Sequence, residues 1–244
     1  MLNNYFTFKS ADNYFTLYSF PHLSMLGLAV LLGITVYALR NKEKAHYIKF
    51  IILGGLIVSE LTLNIWYFYS GEWDAASTLP FQLCSITLYL SVLMLLTGNY
   101  RLFEVTYFLG IGGALQALLT PELYFGFPHF RFYQFFIAHI SIVLASFYMI
   151  FVQRKAPVLK SVWRALLWIN VVAGTVFLIN KLTGGNYMFL SEKPDNPSIL
   201  DYLGDYPFYL ISLEIAAVVL FLILYVPFPL VRYIKSSTFK HRKS

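Results

Sequence analysis

A single cysteine, Cys84, stands in the stretch LPFQLCSITLYL (Leu79 to Leu90), flanked by Gln82 and Ser85. A lone thiol in an apolar helix has two readings. It is a small hydrophobe that fills a gap, or, beside a base, it is a nucleophile that carries an acyl group as a thioester. The base on offer is His139, in the run RFYQFFIAHISIVL, because imidazole exchanges a proton near neutral pH. Gln82 is a donor for a developing oxyanion. Pro80 predicts a helix start just before the cysteine, and unpaired first-turn N–H groups favour a thiolate. One cysteine excludes an internal disulfide and a cysteine-cluster metal site. His22 and His129 could join His139 and a carboxylate around a metal, but no H-x-x-x-H or H-E-x-x-H spacing supports it. No metal and no cofactor are therefore expected. His46 and His241, among basic residues, read as solvated or headgroup-facing.

Other polar residues interrupt apolar runs. Glu60, Asn64 and Tyr67 fall on one helix face, as do Gly112, Gln116 and Thr120, and Asn170 with Gly174. Gln134 accompanies His139, near small Ala138, Ser141 and Ala145, and Glu214 stands alone in the last apolar run. Inside a membrane such groups face the bundle interior, because hydrocarbon cannot satisfy them. Gln116, Asn64 and Asn170 serve equally as glue between helices, and Gly112 and Gly113 as close-contact points. A carboxylate at mid-membrane costs about 2.5–3.5 kcal/mol on insertion scales. Glu60 and Glu214 therefore need partners such as His139, Arg131 or Lys181, or they are protonated.

The elements that must hold these residues are membrane helices. Hydrophobic residues make up 58% of the 244, and charged residues only 12%. A water-soluble domain carries about 25% charge. The mean hydropathy is +0.63. Seven spans are expected, at 22–39, 47–69, 79–97, 102–120, 132–152, 161–181 and 206–228, in a single membrane domain covering 1–244. The first lacks a basic leader and a small-residue cleavage site, so it reads as a retained span. Fourteen of the eighteen lysines and arginines fall on one side. They are Arg40, Lys42, Lys44 and Lys49; Arg101; Arg154, Lys155, Lys160 and Arg164; and Arg232, Lys235, Lys240, Arg242 and Lys243. Only Lys9, Arg131, Lys181 and Lys193 fall on the other. The positive-inside rule then puts the N-terminus outside and the C-terminus in the cytoplasm. That placement explains the net charge of +6 without nucleic acid.

Glu72, Asp74, Glu122, Glu192, Asp195, Asp201 and Asp205 all lie on outer segments, and aromatic residues crowd the same edge, as in an interfacial belt. At about 1.5 Å per residue, Cys84 lies ~8 Å below the outer start of its span and His139 ~10 Å below its own. By the same measure Gln116 lies ~6 Å down, Glu214 ~12 Å and Glu60 ~15 Å. The pattern predicts a polar cavity opening outward, or sideways into the outer leaflet. The segment 182–205 has Gly184-Gly185, Pro194 and Pro197 with apolar Tyr187, Met188, Phe189 and Leu190. It is expected to fold back as a lid.

Several stretches resemble a known family: FPHL at 20–23, LPFQLCSITLYL, FLGIGGALQALLTPEL at 108–123, FPHFRFYQFFIAHISIVL at 127–144, and TGGNYMFLSEKPDNPSILDYLGDYPFYL at 183–210. In order, they resemble the YwaF-like bacterial integral membrane proteins. Those are similar to the eukaryotic transmembrane protein 164 family of lipid acyltransferases, with a membrane-embedded Cys and His, and more distantly to androgen-induced membrane hydrolases, which use Thr and His. The resemblance implies that the family cysteine is Cys84 and the family histidine His139. Relatives carry His where this chain has Gln82.

Two functions are open. One is a lipid acyltransferase or hydrolase in the cell membrane, taking a phospholipid or fatty-acyl substrate. In it Arg131 or Lys181 holds a phosphate, Gln82, Glu60, Asn64, Gln116 and Glu214 line the cavity, and Met188 and Phe189 cover the acyl chain. The other is a non-enzymatic transporter, receptor or lipid-binding module using Glu60, Asn64 and Glu214. Against a transporter, the chain shows no internal repeat and no paired broken helices. The sequence fixes no oligomeric state.

Overall fold

The computed structural model describes residues 3–8, 14–193 and 202–231. Lys9, Pro194, Asp195, Pro197, Asp201, His241 and the tail cations Arg232, Lys235, Lys240, Arg242 and Lys243 lie outside the described residues. The described residues are mostly helical: α1 (Asn3–Phe6), α2 (Phe20–Leu39), α3 (Ile48–Ser70), α4 (Leu83–Thr97), α5 (Tyr100–Leu119), α6 (Phe130–Phe151), α7 (Leu159–Thr183) and α8 (Phe208–Tyr225). Six of these segments are long and apolar enough to cross a membrane. The helix holding Cys84 is shorter: α4 has 15 residues, about 22 Å of rise against a hydrocarbon core of about 30 Å.

Pro80 does not begin that helix. Gln82 is its N-cap, in extended conformation with ψ 147° and no side-chain cap bond, and the first helical residue is Leu83. Cys84 is thus in the first turn itself and not a turn and a half below it. Local chemistry explains the other end. Gly98 takes the left-handed C-cap conformation (φ 63°), free of the Cβ penalty, and closes α4. Asn99 follows as N-cap of α5, its Oδ1 accepting from Arg101 N at 2.7 Å and Leu102 N at 3.3 Å. Two residues therefore suffice to reverse the chain.

Helices α5 and α6 form the centre. Most of α6 is buried, because α2, α3, α4 and α5 all pack on it; α7 and α8 lean on α5 from the far side. Small residues set the spacing. A Cβ on Gly55 of α3 would stand 2.4 Å from Ser141 Oγ of α6, and one on Gly112 of α5 would stand 3.1 Å from Leu220 Cδ2 of α8. The packing role expected of Gly112 is met there.

The two ends differ in chemistry. At the basic end, Arg154 bonds Asn41 and Lys155 bonds the Gly98 carbonyl, tying three connections together. The other end is aromatic. Trp66 stacks on Phe8 (5.2 Å between centroids), meets Phe125 edge-on at 5.6 Å, and donates from Nε1 to the Phe6 carbonyl at 2.7 Å. These rings pack on one another, a use beyond the interfacial belt expected from composition.

Candidate functional site

The polar residues that the sequence assigned to one cavity are divided among seams. Glu60 is buried between α3 and α4, accepting from Tyr89 Oη at 2.7 Å and from Asn64 Nδ2 at 3.3 Å. None of the expected partners hydrogen-bonds it: Arg131, whose charge Glu60 feels, bonds Gln134 Oε1, His139 bonds the Phe135 carbonyl, and Lys181 is exposed over the Phe177 ring at 5.4 Å. The reason is adjacency, since α4 packs beside α3 and presents a phenol. Glu214 belongs to the α7–α8 seam, where Asn170 Nδ2 donates to it at 2.9 Å. Gln116 is exposed on α5. Asn64 is exposed as well, its side chain bonded to the Glu60 carbonyl at 2.8 Å.

The two histidines considered for a metal are structural. His22 is fully buried; Nδ1 accepts from Tyr18 N at 3.0 Å, and Nε2 bonds the Leu118 carbonyl at 2.8 Å. His129 caps α6 by accepting from Arg131 N at 3.1 Å through Nδ1, while Nε2 donates to the Thr7 carbonyl at 3.0 Å. Both rings spend both nitrogens. Burial pushes the His129 pKa below the ordinary histidine value; the bond to Thr7 opposes this, and the Arg131 charge adds to it.

His139 is different. Its Nδ1 lies 2.7 Å from the Phe135 carbonyl. A carbonyl only accepts, so Nδ1 carries the proton, and in the neutral ring Nε2 holds the free lone pair. That nitrogen bonds to no described residue. Cys84 is half-buried on α4 and likewise lacks a hydrogen bond, so thiol and imidazole are not in direct contact here. Register sets them at one height. A Cβ on Gly110 of α5 would touch both Thr87 Cγ2 of α4 (3.2 Å) and Ile142 Cγ2 of α6 (3.1 Å). Cys84 is one turn before Thr87, and His139 is one turn before Ile142. Residues so spaced share a helix face, and both helices run antiparallel to α5. At that height a Cβ on Gly113 would meet Leu83 Cδ2 at 3.5 Å.

The mouth of α4 is lined with donors. Its first bonded amide is that of Ile86, to the Gln82 carbonyl at 3.1 Å. No side chain caps the N–H groups of the turn before it, which include that of Cys84. Gln82 spends Oε1 on Met188 N at 2.9 Å, which leaves its amide N–H₂ free. The 184–193 segment folds back against this end of α4. Tyr187 is buried; its hydroxyl donates to the Ala75 carbonyl at 2.8 Å and accepts from Leu79 N at 2.9 Å. Asn180 brackets Tyr187, accepting from its N–H at 2.9 Å and donating to its carbonyl at 3.0 Å. Tyr209 donates to the Phe189 carbonyl. Met188 and Phe189 are held at φ 58° and 52°, left-handed positions uncommon for such residues.

A family model describing the TMEM164 family matches residues 17–225. The chain belongs to the TMEM164 family. It is accordingly a multi-pass membrane protein, and the matched TMEM164 segment holds every helix from α2 to α8 and with them Cys84 and His139. No curated protein and no solved structure matches the chain.

Sequence reasoning passed over the residues that build much of this TMEM164 chain's polar structure. Asn180 and Tyr187 escaped because the anchors of an irregular loop have no periodic signature. Glu104 did leave a signal: it stands three residues after Arg101 at the start of a helix, the spacing of a paired charge.

Proposed function

We propose that the protein is a cell-membrane lipid acyltransferase or lipid hydrolase working through Cys84 and His139. The observation that carries this reading is the tautomer of His139: a neutral ring, its Nε2 lone pair unspent, on the helix face and at the height that Cys84 occupies on α4. The proposal includes α4 as a seventh span, with Leu79–Gln82 supplying the length its 15 residues lack, and the aromatic end facing outside as the charge bias directs.

The reaction runs in two halves. Cys84 gives its proton to His139 Nε2, directly or through one water. The thiolate attacks an ester carbonyl of a phospholipid, and free first-turn N–H groups and Gln82 Nε2 receive the oxyanion. The C–O bond breaks, the lysolipid oxygen takes the proton from His139, and a Cys84 thioester remains. A lysophospholipid hydroxyl or water then yields its proton to His139 and attacks the thioester, and the thiolate leaves. Arg131 supports a headgroup role: its Nε is buried without a partner among the described residues, a donor suited to phosphate. The 184–193 segment gates entry, with Met188 and Phe189 over the acyl chain.

The test is lipid turnover by purified protein in mixed micelles. Cys84→Ala and His139→Ala should each abolish acyl release while folding normally. A Cys84→Ala protein with normal turnover would end the proposal, and proteoliposome uptake lost in Glu60→Gln but intact in Cys84→Ala would favour a transporter.

A further inference from the structure

At the basic end, far from Cys84, α5 and α7 border an open groove of about 320 Å³. Its rim is two arginines, Arg101 of α5 and Arg164 of α7, with side chains 66% and 39% exposed. Beneath them sits Glu104, fully buried. Arg164 Nη1 donates to Glu104 Oε1 at 2.6 Å, Arg101 Nη1 to Oε2 at 3.1 Å, and Ser161 Oγ to Oε1 at 2.5 Å. Glu104 therefore spends both oxygens inward. It fixes two guanidiniums side by side and neutralises one of their two charges.

Each guanidinium has five N–H donors. Each gives one nitrogen to Glu104, and the other nitrogens bond to no described residue. The free donors and the unbalanced charge sit at the rim. Below, the walls are apolar. Val105 lies one turn deeper than Arg101 on α5; Leu167, Trp168 and Val171 lie one to two turns deeper than Arg164 on α7. From Arg164 to Val171 is about 10 Å of helix. An anion-binding rim above an apolar wall of that depth matches an amphiphile whose headgroup carries the negative charge.

We propose that this groove binds an anionic phospholipid from the leaflet bathing the basic end, the cytoplasmic one by the positive-inside rule. The phosphate sits across Arg101 and Arg164, and an acyl chain lies along Trp168 and Val171. The site is independent of the Cys84 chemistry and holds whether or not the protein is an enzyme.

Trp168 in the groove wall is the reporter. The full chain is placed in phosphatidylcholine nanodiscs with a rising fraction of phosphatidylglycerol bearing brominated acyl chains. Quenching specific to Trp168 is the difference between the wild type and Trp168→Phe. Half-quenching is expected at about five-fold less brominated phosphatidylglycerol than brominated phosphatidylcholine, the preference given by about 1 kcal/mol for one surface charge. Arg101→Gln with Arg164→Gln should erase it, while Arg40→Gln with Arg154→Gln, which removes the same charge from the same end, should keep it. If the first pair does not fold, Arg101→Gln alone is read in its place, since that side chain is largely exposed. Equal quenching by the two lipids would overturn the proposal. So would a preference that survives loss of the arginines, or release of the quenching by inorganic phosphate.

Discussion

The Tyr187 hydroxyl ties the 184–193 segment to the approach of α4, and removing it isolates that tie. Tyr187→Phe keeps the ring and its near-perpendicular contact with Phe81, 5.7 Å between centroids at 76°. It loses the bond to the Ala75 carbonyl at 2.8 Å and the bond from Leu79 N at 2.9 Å. Each net bond contributes about 0.5–1.5 kcal/mol, so the segment loses about 1–3 kcal/mol of anchoring. At tenfold per 1.4 kcal/mol, its opening equilibrium rises about 5- to 150-fold. Asn180 and Gln82 still hold the neighbouring backbone, so the change stays local. Hydrogen exchange on the full chain in detergent reads it: peptides covering 75–82 and 183–193 should exchange faster, and peptides from α3 and α6 should not. Tyr202→Phe, at an exposed tyrosine, is the control. Unchanged exchange in both peptides would refute the tie, and faster exchange throughout α3 and α6 would show that Tyr187 supports the whole bundle instead.

Helix spacing and pH give two more tests. Gly55→Ala puts a Cβ 2.4 Å from Ser141 Oγ, so thermal unfolding should show a loss of about 1–3 kcal/mol, largely restored by adding Ser141→Ala. His129 has its pKa lowered in the folded chain, chiefly by burial. Its contribution is therefore complete above the unfolded value of 6.5 and is lost as pH falls from there through the folded value. The melting temperature should drop between pH 7 and pH 5, and His129→Asn, which keeps a capping side chain, should shrink that drop.

The fold was legible where physics is one-dimensional. Apolar runs marked the long helices, and Asn99 after Gly98 is a turn that local chemistry dictates. Pro80 misled because proline tolerates a first helical position without requiring it; the chain stays non-helical to Gln82 and binds the returning 184–193 segment there. The candidate site was legible in part. Cys84 and His139 can be set at one depth by counting, but the shared contact at Gly110 depends on side chains from three helices. Glu60 shows the limit. Its need for a partner followed from burial cost, yet Tyr89 emerged only from how α4 lies against α3. Likewise the periodicity that put Gln116 and Gly112 on one face could not say that Gly112 packs on α8 while Gln116 is exposed.

The central claim is that Cys84 becomes acylated with His139 as base. The direct measurement is the mass of the Cys84 peptide after the full chain meets phospholipid with isotope-labelled acyl chains and is quenched in acid. One labelled acyl group is expected on Cys84, released by neutral hydroxylamine and absent in His139→Ala. Label that never reaches Cys84 while the same sample turns over phospholipid would contradict it.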